Sequence, residues 1–264
     1  MKRSTAREMM DSTDNPRELL EDDLRNLRII NRYLGNYRAV LGALKRLIEE
    51  QKLKSFSLLD VGTGSGDIPA LIASWARRNH LGAQLIGLDP EPITLNTALN
   101  QTHDYPEIAL VRGDGRALPF ASNSVDFVLS SQMLHHFCEE DIINLLRSWS
   151  RVARRAIIVC DLVRHPVAYH GIRLVTKAFT RNIMTRTDGP LSVQRAFTLE
   201  EWRELFERAG IGPFRLFRKF PFRQMTLFSM LERKSASRLD EDQNDHKSFA
   251  ASPPNACAGG QVRM

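Results

Sequence analysis

The stretch Leu58-Leu59-Asp60-Val61-Gly62-Thr63-Gly64-Ser65-Gly66-Asp67 joins the end of an apolar run to the start of an amphipathic one. Its glycines let the backbone turn sharply and approach a ligand with no side chain in the way. A dinucleotide-binding turn would read Gly-x-Gly-x-x-Gly, to cradle a pyrophosphate. Here the glycines are Gly62, Gly64 and Gly66, and Asp67 stands in the place of that third glycine. Asp60, just ahead, puts a carboxylate where a pyrophosphate would be repelled and an ammonium attracted. NADH is therefore not an expected ligand.

Outward from this turn, short apolar runs alternate with amphipathic segments. Strands are expected at Ser57–Val61, Gln84–Leu88, Ile108–Val111, Val125–Ser130, Ala156–Cys160, Phe214–Phe217 and Met225–Leu231. Helices are expected at 67–79, 91–101, 139–153 and 198–209. Such alternation predicts an α/β, Rossmann-like fold: a seven-stranded, mostly parallel sheet with helices on both faces. The last two strands, with Pro221 between them, read as an antiparallel hairpin at one edge.

The domain at 55–234 has appendages. Residues 1–14 read as frayed. Asn15 as cap, Pro16 in the first turn and Glu18 reaching back predict a helix start. Leu20, Leu24, Leu27, Ile30 and Leu34 follow at helical spacing, Gly35-Asn36 breaks the run, and Val40, Leu41, Leu44, Leu47 and Ile48 mark a second helix. Residues 1–54 are thus a helical cap, either packed on the domain or serving as a lid. A helical insertion over 163–197 follows the fifth strand. Within it Val167–Met184 predicts an amphipathic helix, with His170, Arg173, Lys177 and Arg181 on one face and Val167, Leu174, Val175 and Phe179 on another. That face is either solvated or meets a membrane surface or lipid-like substrate. Residues 235–264 read as a disordered tail.

Composition narrows the function classes. The 264 residues are 42% hydrophobic and 26% charged, enough to bury a core. No apolar run approaches bilayer length, and no signal peptide is visible after Met1-Lys2-Arg3-Ser4. Three cysteines (Cys138, Cys160, Cys257) are too few and scattered for a disulfide framework or zinc cluster, which predicts a reduced, cytoplasmic protein. The net charge of +6 permits an anionic partner without demanding one.

Further strand ends carry residues suited to one nucleoside-like ligand. Gly87-Leu88-Asp89-Pro90 places an acid for two ribose hydroxyls. Asp114, in Gly113-Asp114-Gly115, can accept from an exocyclic adenine amine. The fourth strand runs into Ser130-Ser131-Gln132-Met133-Leu134-His135-His136-Phe137.

This set resembles the class I S-adenosylmethionine-dependent methyltransferases, closely over about 55–162 and more loosely over 198–232. It looks like their small-molecule branch around ubiquinone/menaquinone biosynthesis, and closer still to methyltransferases of bacterial polyketide pathways. The carrying segments are the glycine turn, Leu134-His135-His136-Phe137 and Asp188-Gly189-Pro190-Leu191-Ser192-Val193-Gln194-Arg195-Ala196-Phe197. The resemblance implies S-adenosyl-L-methionine as cofactor. Asp60, Gly62, Thr63, Gly64 and Gly66 would hold its methionine end, Asp89 and Pro90 the ribose, and Gly113, Asp114 and Gly115 the adenine. Ser131 and Gln132 would line it near the sulfonium. Relatives often carry Pro-Gly-Gly before the fifth strand, where this chain has Arg151-Val152-Ala153-Arg154-Arg155.

Methyl transfer needs a nucleophile aligned with the methyl–sulfur bond. A phenolic nucleophile, with a pKa near 10, also needs a base. His135 and His136 are the candidates. Side chains leaving a strand alternate, so the two are not expected to serve one site. The spacing resembles plant-type O-methyltransferases, and Phe137 with Glu139-Glu140 favours His135; His136 would pack or touch the cofactor. Asp161 would orient a histidine or cap the next segment. Arg164, His165 and Tyr169 can reach the pocket, and Arg195 and Phe197 would contact substrate or close the lid. Beyond the acids assigned to the cofactor there is no dense carboxylate cluster, so no metal is expected. The expected reaction is O-methylation of an aromatic or polyketide-like hydroxyl. C-methylation of a quinone precursor is the alternative. A nucleic-acid methyltransferase is disfavoured, because Ser130-Ser131-Gln132-Met133 lacks the Asn/Asp-Pro-Pro-aromatic motif of base-amino enzymes. A non-enzymatic cofactor-binding scaffold is disfavoured by the intact cofactor set and the two histidines.

Overall fold

The computed structural model describes residues 1–12, 14–219 and 224–230. The Pro221 turn, Leu231, Cys257 and the tail over 235–264 lie outside the described residues.

Strands β1 (Ser55–Val61), β2 (Gly82–Asp89), β3 (Ile108–Arg112), β4 (Val125–Ser131), β5 (Ala153–Leu162), β6 (Phe214–Lys219) and β7 (Gln224–Met230) form one sheet in the order β3-β2-β1-β4-β5-β7-β6. The five strands from β3 to β5 pair in parallel, and β7 runs antiparallel to both β5 and β6. The mostly parallel character is as expected, but the parallel pairing is confined to that five-strand block. Strand order reverses between β1 and β4, which opens the ligand crevice of this architecture at their carboxyl ends.

Two-residue alternation divides the core. Leu59, Val61, Val128, Ile157 and Val159 face α5 (Glu139–Val152) and α8 (Leu199–Ala209). Leu58, Phe127, Leu129, Ile158 and Cys160 face α2 (Asn36–Glu50) and α3 (Asp67–Arg78). Both faces are apolar because both are covered. The remaining crossover helix, α4 (Pro92–Thr102), links β2 to β3. Where relatives have Pro-Gly-Gly, α5 ends at Val152 and β5 begins at Ala153 without a loop.

Three expectations are corrected. First, residues 1–12 are not frayed but form a strap across the molecule. The Arg3 guanidinium stacks 3.9 Å from the Phe197 ring centroid and donates to the Phe137 carbonyl at 2.7 Å. Met9 and Met10 N–H donate to the Asp188 carboxylate at 2.9 and 3.0 Å. Second, Asn15 does not cap α1 (Arg17–Tyr33), because its amide is used by the strap, donating to the Met9 and Ser12 carbonyls. Third, the insertion is two helices, α6 (Pro166–Phe179) and α7 (Ile183–Arg195). Asn182 ends the continuity by capping α7, its Oδ1 accepting from Thr185 N–H at 3.1 Å. Which face of the insertion meets the domain was open: α6 buries Ala168, Ile172 and Thr176, while Val167, Leu174 and Phe179 are 63%, 70% and 84% exposed. The large apolar side chains therefore stand beside the exposed basic stripe rather than against the domain. Among the described residues no helix is long and apolar enough to cross a membrane.

Candidate active site

The glycine turn is tied to the end of β2: Gly62 and Thr63 N–H both donate to the Leu88 carbonyl, at 2.9 and 3.0 Å. Gly62, Gly64 and Gly66 all have positive φ, as the sharp turn requires. At Gly62 a Cβ would meet Met133 Sδ at 2.5 Å, so a side chain there would close the crevice.

Asp60 is 1% exposed. Its Oδ2 accepts from Thr63 Oγ1 at 2.9 Å, and its Oδ1 has no partner among the described residues. Burial raises its pKa to about 7. A buried acceptor left open at the crevice suits an ammonium donor, which would satisfy the oxygen and lower that pKa. Asp89 is fixed by two main-chain donors, Gly64 N–H at 2.9 Å and Glu91 N–H at 3.1 Å, and burial raises it to about 6. Asp60, Gly62, Thr63, Gly64, Ser131 and Gln132 wall one cavity, and Asp89 and Pro90 wall its neighbour. An open ammonium acceptor, a fixed carboxylate and a side-chain-free turn fit the methionine and ribose parts of the expected cofactor. Gly66 turns the chain into α3 outside both cavities. Gly113, Asp114 and Gly115 also lie outside them, because Asp114 turns back on Arg116, accepting from its N–H at 2.8 Å.

The two histidines sit on a single 3-10 turn, Leu134–His136, beyond the end of β4. Strand alternation has ended there. Both rings turn to the same side, with centroids 4.4 Å apart, and both wall the cavity that Asp60 walls. The expectation that they serve different sites fails for this reason. Asp161 orients His135, its Oδ1 lying 2.7 Å from Nδ1, and it also accepts from Leu134 and Leu162 N–H. His135 Nδ1 therefore carries the proton and Nε2 faces the cavity. His136 Nδ1 lies 2.8 Å from Asp11 Oδ1. Burial opposes charge on His136, but the Glu8 and Asp11 carboxylates outweigh it and push its pKa up to about 9. His135, oriented by Asp161 and walling the cavity, is the ring whose geometry suits it to accept a proton at Nε2.

The other substrate candidates have structural work. Arg195 is 5% exposed and fastens the strap, donating to the Ala6 and His136 carbonyls at 2.7 Å each. Its side chain lies behind the histidines rather than in the cavity. Phe197 is fully buried between Arg3 and Trp202. Arg164 is held by Glu201 at 2.5 Å and by the Ala196 carbonyl, and Tyr169 packs on α6 and its neighbours. His165 caps α6 through Val167 N–H. None of these five lines either cavity.

Several lining residues were missed by sequence reasoning. Glu8 and Met10 come from the strap, and Leu24, Leu27, Arg28 and Asn31 from α1, so the helical cap does wall the site. Tyr37 OH donates to Asp67 Oδ2 at 2.8 Å and closes that wall. The buried polar Glu8 and Asp11 carried no periodic signal, and nothing local linked them to the histidines.

Residues 59–159 match the methyltransferase domain family. An uncharacterized methyltransferase of Mycolicibacterium vanbaalenii is 33% identical over 101 residues, 38% of this chain and 37% of that protein's length. A demethylmenaquinone methyltransferase of Chlorobaculum parvum is 25% identical over 240 residues, 85% of this chain and 89% of its own. Human N-acetylserotonin methyltransferase, solved in complex with S-adenosylmethionine, superposes with a TM-score of 0.59 at 18% identity, over 82% of this chain and 57% of its own. The last shows likeness of fold.

Proposed function

We propose that this chain, whose residues 59–159 match the methyltransferase domain family, transfers the methyl group of S-adenosylmethionine to a hydroxyl of a small aromatic or polyketide-like acceptor. The observation that carries this is one cavity walled both by the cofactor turn and by an Asp161-oriented His135.

The bound cofactor supplies an activated methyl on a sulfonium that departs as a neutral thioether. The chain's own residues do the rest. Asp60 and the glycine turn hold the methionine end, and Asp89 the ribose. His135 Nε2 would take the proton of the acceptor hydroxyl as that oxygen receives the methyl group, leaving the proton on the ring. Asp161 stabilises the resulting imidazolium through Nδ1–H. The strap and α1 exclude water from the cavity.

A second acceptor class is favoured by α6. Its exposed Val167 and Leu174 fall beside exposed His170, Arg173 and Lys177 at helical spacing, with exposed Phe179 and Arg181 at and beyond its C-terminal end, a pattern suited to an anionic bilayer. A lipid quinone precursor methylated on carbon would be presented there, in keeping with the demethylmenaquinone methyltransferase relative.

Labelled-methyl transfer to pools of phenols, enols, quinone precursors and RNA, with mass spectrometry of the product, tests both. An O-methylated product is expected. Labelled RNA, or no labelled acceptor of any class, overturns the proposal, and a C-methylated quinone moves it to the second class. Vesicle co-sedimentation reads the α6 face. Binding that Arg173→Glu, Lys177→Glu and Arg181→Glu together abolish supports bilayer contact, and absence of binding removes it.

A further inference from the structure

We infer that Glu8, His135 and His136 form a site for a divalent transition-metal cation, made complete by the strap and opening on the cofactor cavity. This goes beyond the methyl-transfer proposal: it rests on that reading for the acceptor chemistry, though not for the binding, and gives His135 a ligand's role in place of the base's.

Both imidazoles are held by a carboxylate at Nδ1, His135 by Asp161 at 2.7 Å and His136 by Asp11 at 2.8 Å. Each Nε2 is thereby aimed away from its own partner, and both are aimed at Glu8. The separations are 3.7 Å from His135 Nε2 to Glu8 Oε1 and 3.7 Å from His136 Nε2 to Glu8 Oε2. These are too long for hydrogen bonds. An ion about 2.1–2.2 Å from two atoms 3.7 Å apart would see them at about 115–125°, close to tetrahedral. The candidate ligand atoms of the three residues all lie within 4.8 Å of one another.

The second observation is Glu8 itself. It is 3% exposed, and its Oε1 accepts no hydrogen bond among the described residues. Its other oxygen is oriented by Ser192 Oγ at 2.9 Å, so the carboxylate is positioned rather than adrift. A buried carboxylate oxygen with no donor is costly unless something positive meets it. Arg195 Nε and His136 Nε2, each 3.7 Å from a Glu8 oxygen, balance its charge as ion pairs, but neither donates a hydrogen bond, so the coordination of Oε1 stays open.

Two imidazoles and one carboxylate, with positions left open, suit zinc, iron(II) or manganese(II). Asp161 and Asp11 fix ring tautomer and orientation, as outer partners of metal-bound histidines do. Binding requires both Nε2 atoms deprotonated, and any protons they hold leave to solvent. An ion here would draw in an acceptor hydroxyl and favour its deprotonated form. The matching acceptor is a hydroxyl beside a carbonyl, which offers a second oxygen. The acceptor proton would then leave on binding, and His135 would act as a ligand instead of a base.

The test is calorimetric titration of the full, chelator-treated chain with zinc chloride, together with the visible spectrum on adding cobalt(II). One ion per chain is expected. Glu8→Gln and His136→Ala should each weaken binding by more than roughly the 10–100-fold that an outer partner is worth, and Asp11→Asn by about 10–100-fold. A circular dichroism spectrum and melting curve matching those of the parent chain show that each variant is folded. No stoichiometric zinc binding, or equal binding by all variants, overturns the site and leaves a proton-only cluster. Methyl transfer that persists in chelator yet falls in His135→Ala also overturns it, while sustaining the base proposal.

Discussion

The crevice over Asp60 and Asp89 and the cluster around His135 and His136 share a wall but are built differently. In the crevice, partners are close in sequence: Thr63 bonds Asp60 across three residues, and Gly64 bonds Asp89 across twenty-five. All of these lie on strand ends already fixed by the sheet. In the cluster, Asp11 meets His136 across 125 residues, and Ser192 meets Glu8 across 184. One side of the cluster is a strap that has no sheet partner and is ordered by polar contacts to α7 and the histidine turn, by Arg3 on Phe197, and by Met9 and Met10 packed near Leu20, Leu24 and Met184. Ordering such a segment costs about 1–2 kcal/mol per residue in backbone entropy, which those contacts must offset. The crevice should therefore remain formed under conditions where the cluster opens.

The largest expected effect tests whether the cluster does the chemistry. His135→Ala should lower turnover by roughly 10²–10⁴-fold with cofactor affinity little changed. Equal losses in turnover and cofactor affinity would show that crevice and cluster are one unit, and the contrast between them would break. Persistent turnover in both His135→Ala and His136→Ala would remove the histidines from the mechanism.

Next comes the strap. Arg195 joins it to the histidine turn by buried contacts, with Asp11 Oδ2 at 3.4 Å among them. Removing one member of a buried ion pair typically costs about 3–5 kcal/mol. In Arg195→Ala the strap amides at Met9 and Met10 should exchange hydrogen far faster, while Gly62 and Thr63, held by the Leu88 carbonyl, should not. Uniform acceleration across both regions would refute their independence.

On the crevice side, Asp89→Ala removes a charged acceptor worth about 1.5–3 kcal/mol. S-adenosylmethionine binding should weaken by roughly ten- to a hundredfold. Unchanged affinity by calorimetry would take Asp89 out of the site.

The same contrast explains what was legible in the sequence. Asp60, the glycines and Asp89 could be read because a strand–turn–helix constrains them locally. Short apolar runs located β1 to β5 within a few residues, since a strand buried on both faces must be continuously apolar. The pairing of His135 with Asp161 was open to guess from strand ends. The partnership of Glu8 and Asp11 with the histidines was not, because it depends on where a non-repetitive segment crosses the domain. Phe197 and Arg195 resembled pocket residues by composition, but tertiary packing turned one into core and the other into a fastener. The α6 pattern misled similarly, since its periodicity marked an amphipathic helix without saying which face meets the protein.

The smallest effect probes the seam where cap and insertion meet, beside the cluster. Asp23, on α1, is 1% exposed and accepts from Thr185 Oγ1 at 2.6 Å. Burial raises its pKa to about 6, the Thr185 hydrogen bond only partly opposing this. An unfolded aspartate titrates near 3.9. The folded state thus holds the proton more tightly, so this group's contribution to stability rises as pH falls from above about 6 toward 4. Above about 6 the ionised carboxylate is a net cost, on the order of 1–3 kcal/mol. Asn keeps an oxygen for Thr185 and carries no charge. Asp23→Asn should therefore raise the melting temperature at pH 7.5 and leave it nearly unchanged at pH 4. A lowered melting temperature at pH 7.5 would mean that the carboxylate is stabilised by a cation, and that the seam shares the cluster's demand for positive charge.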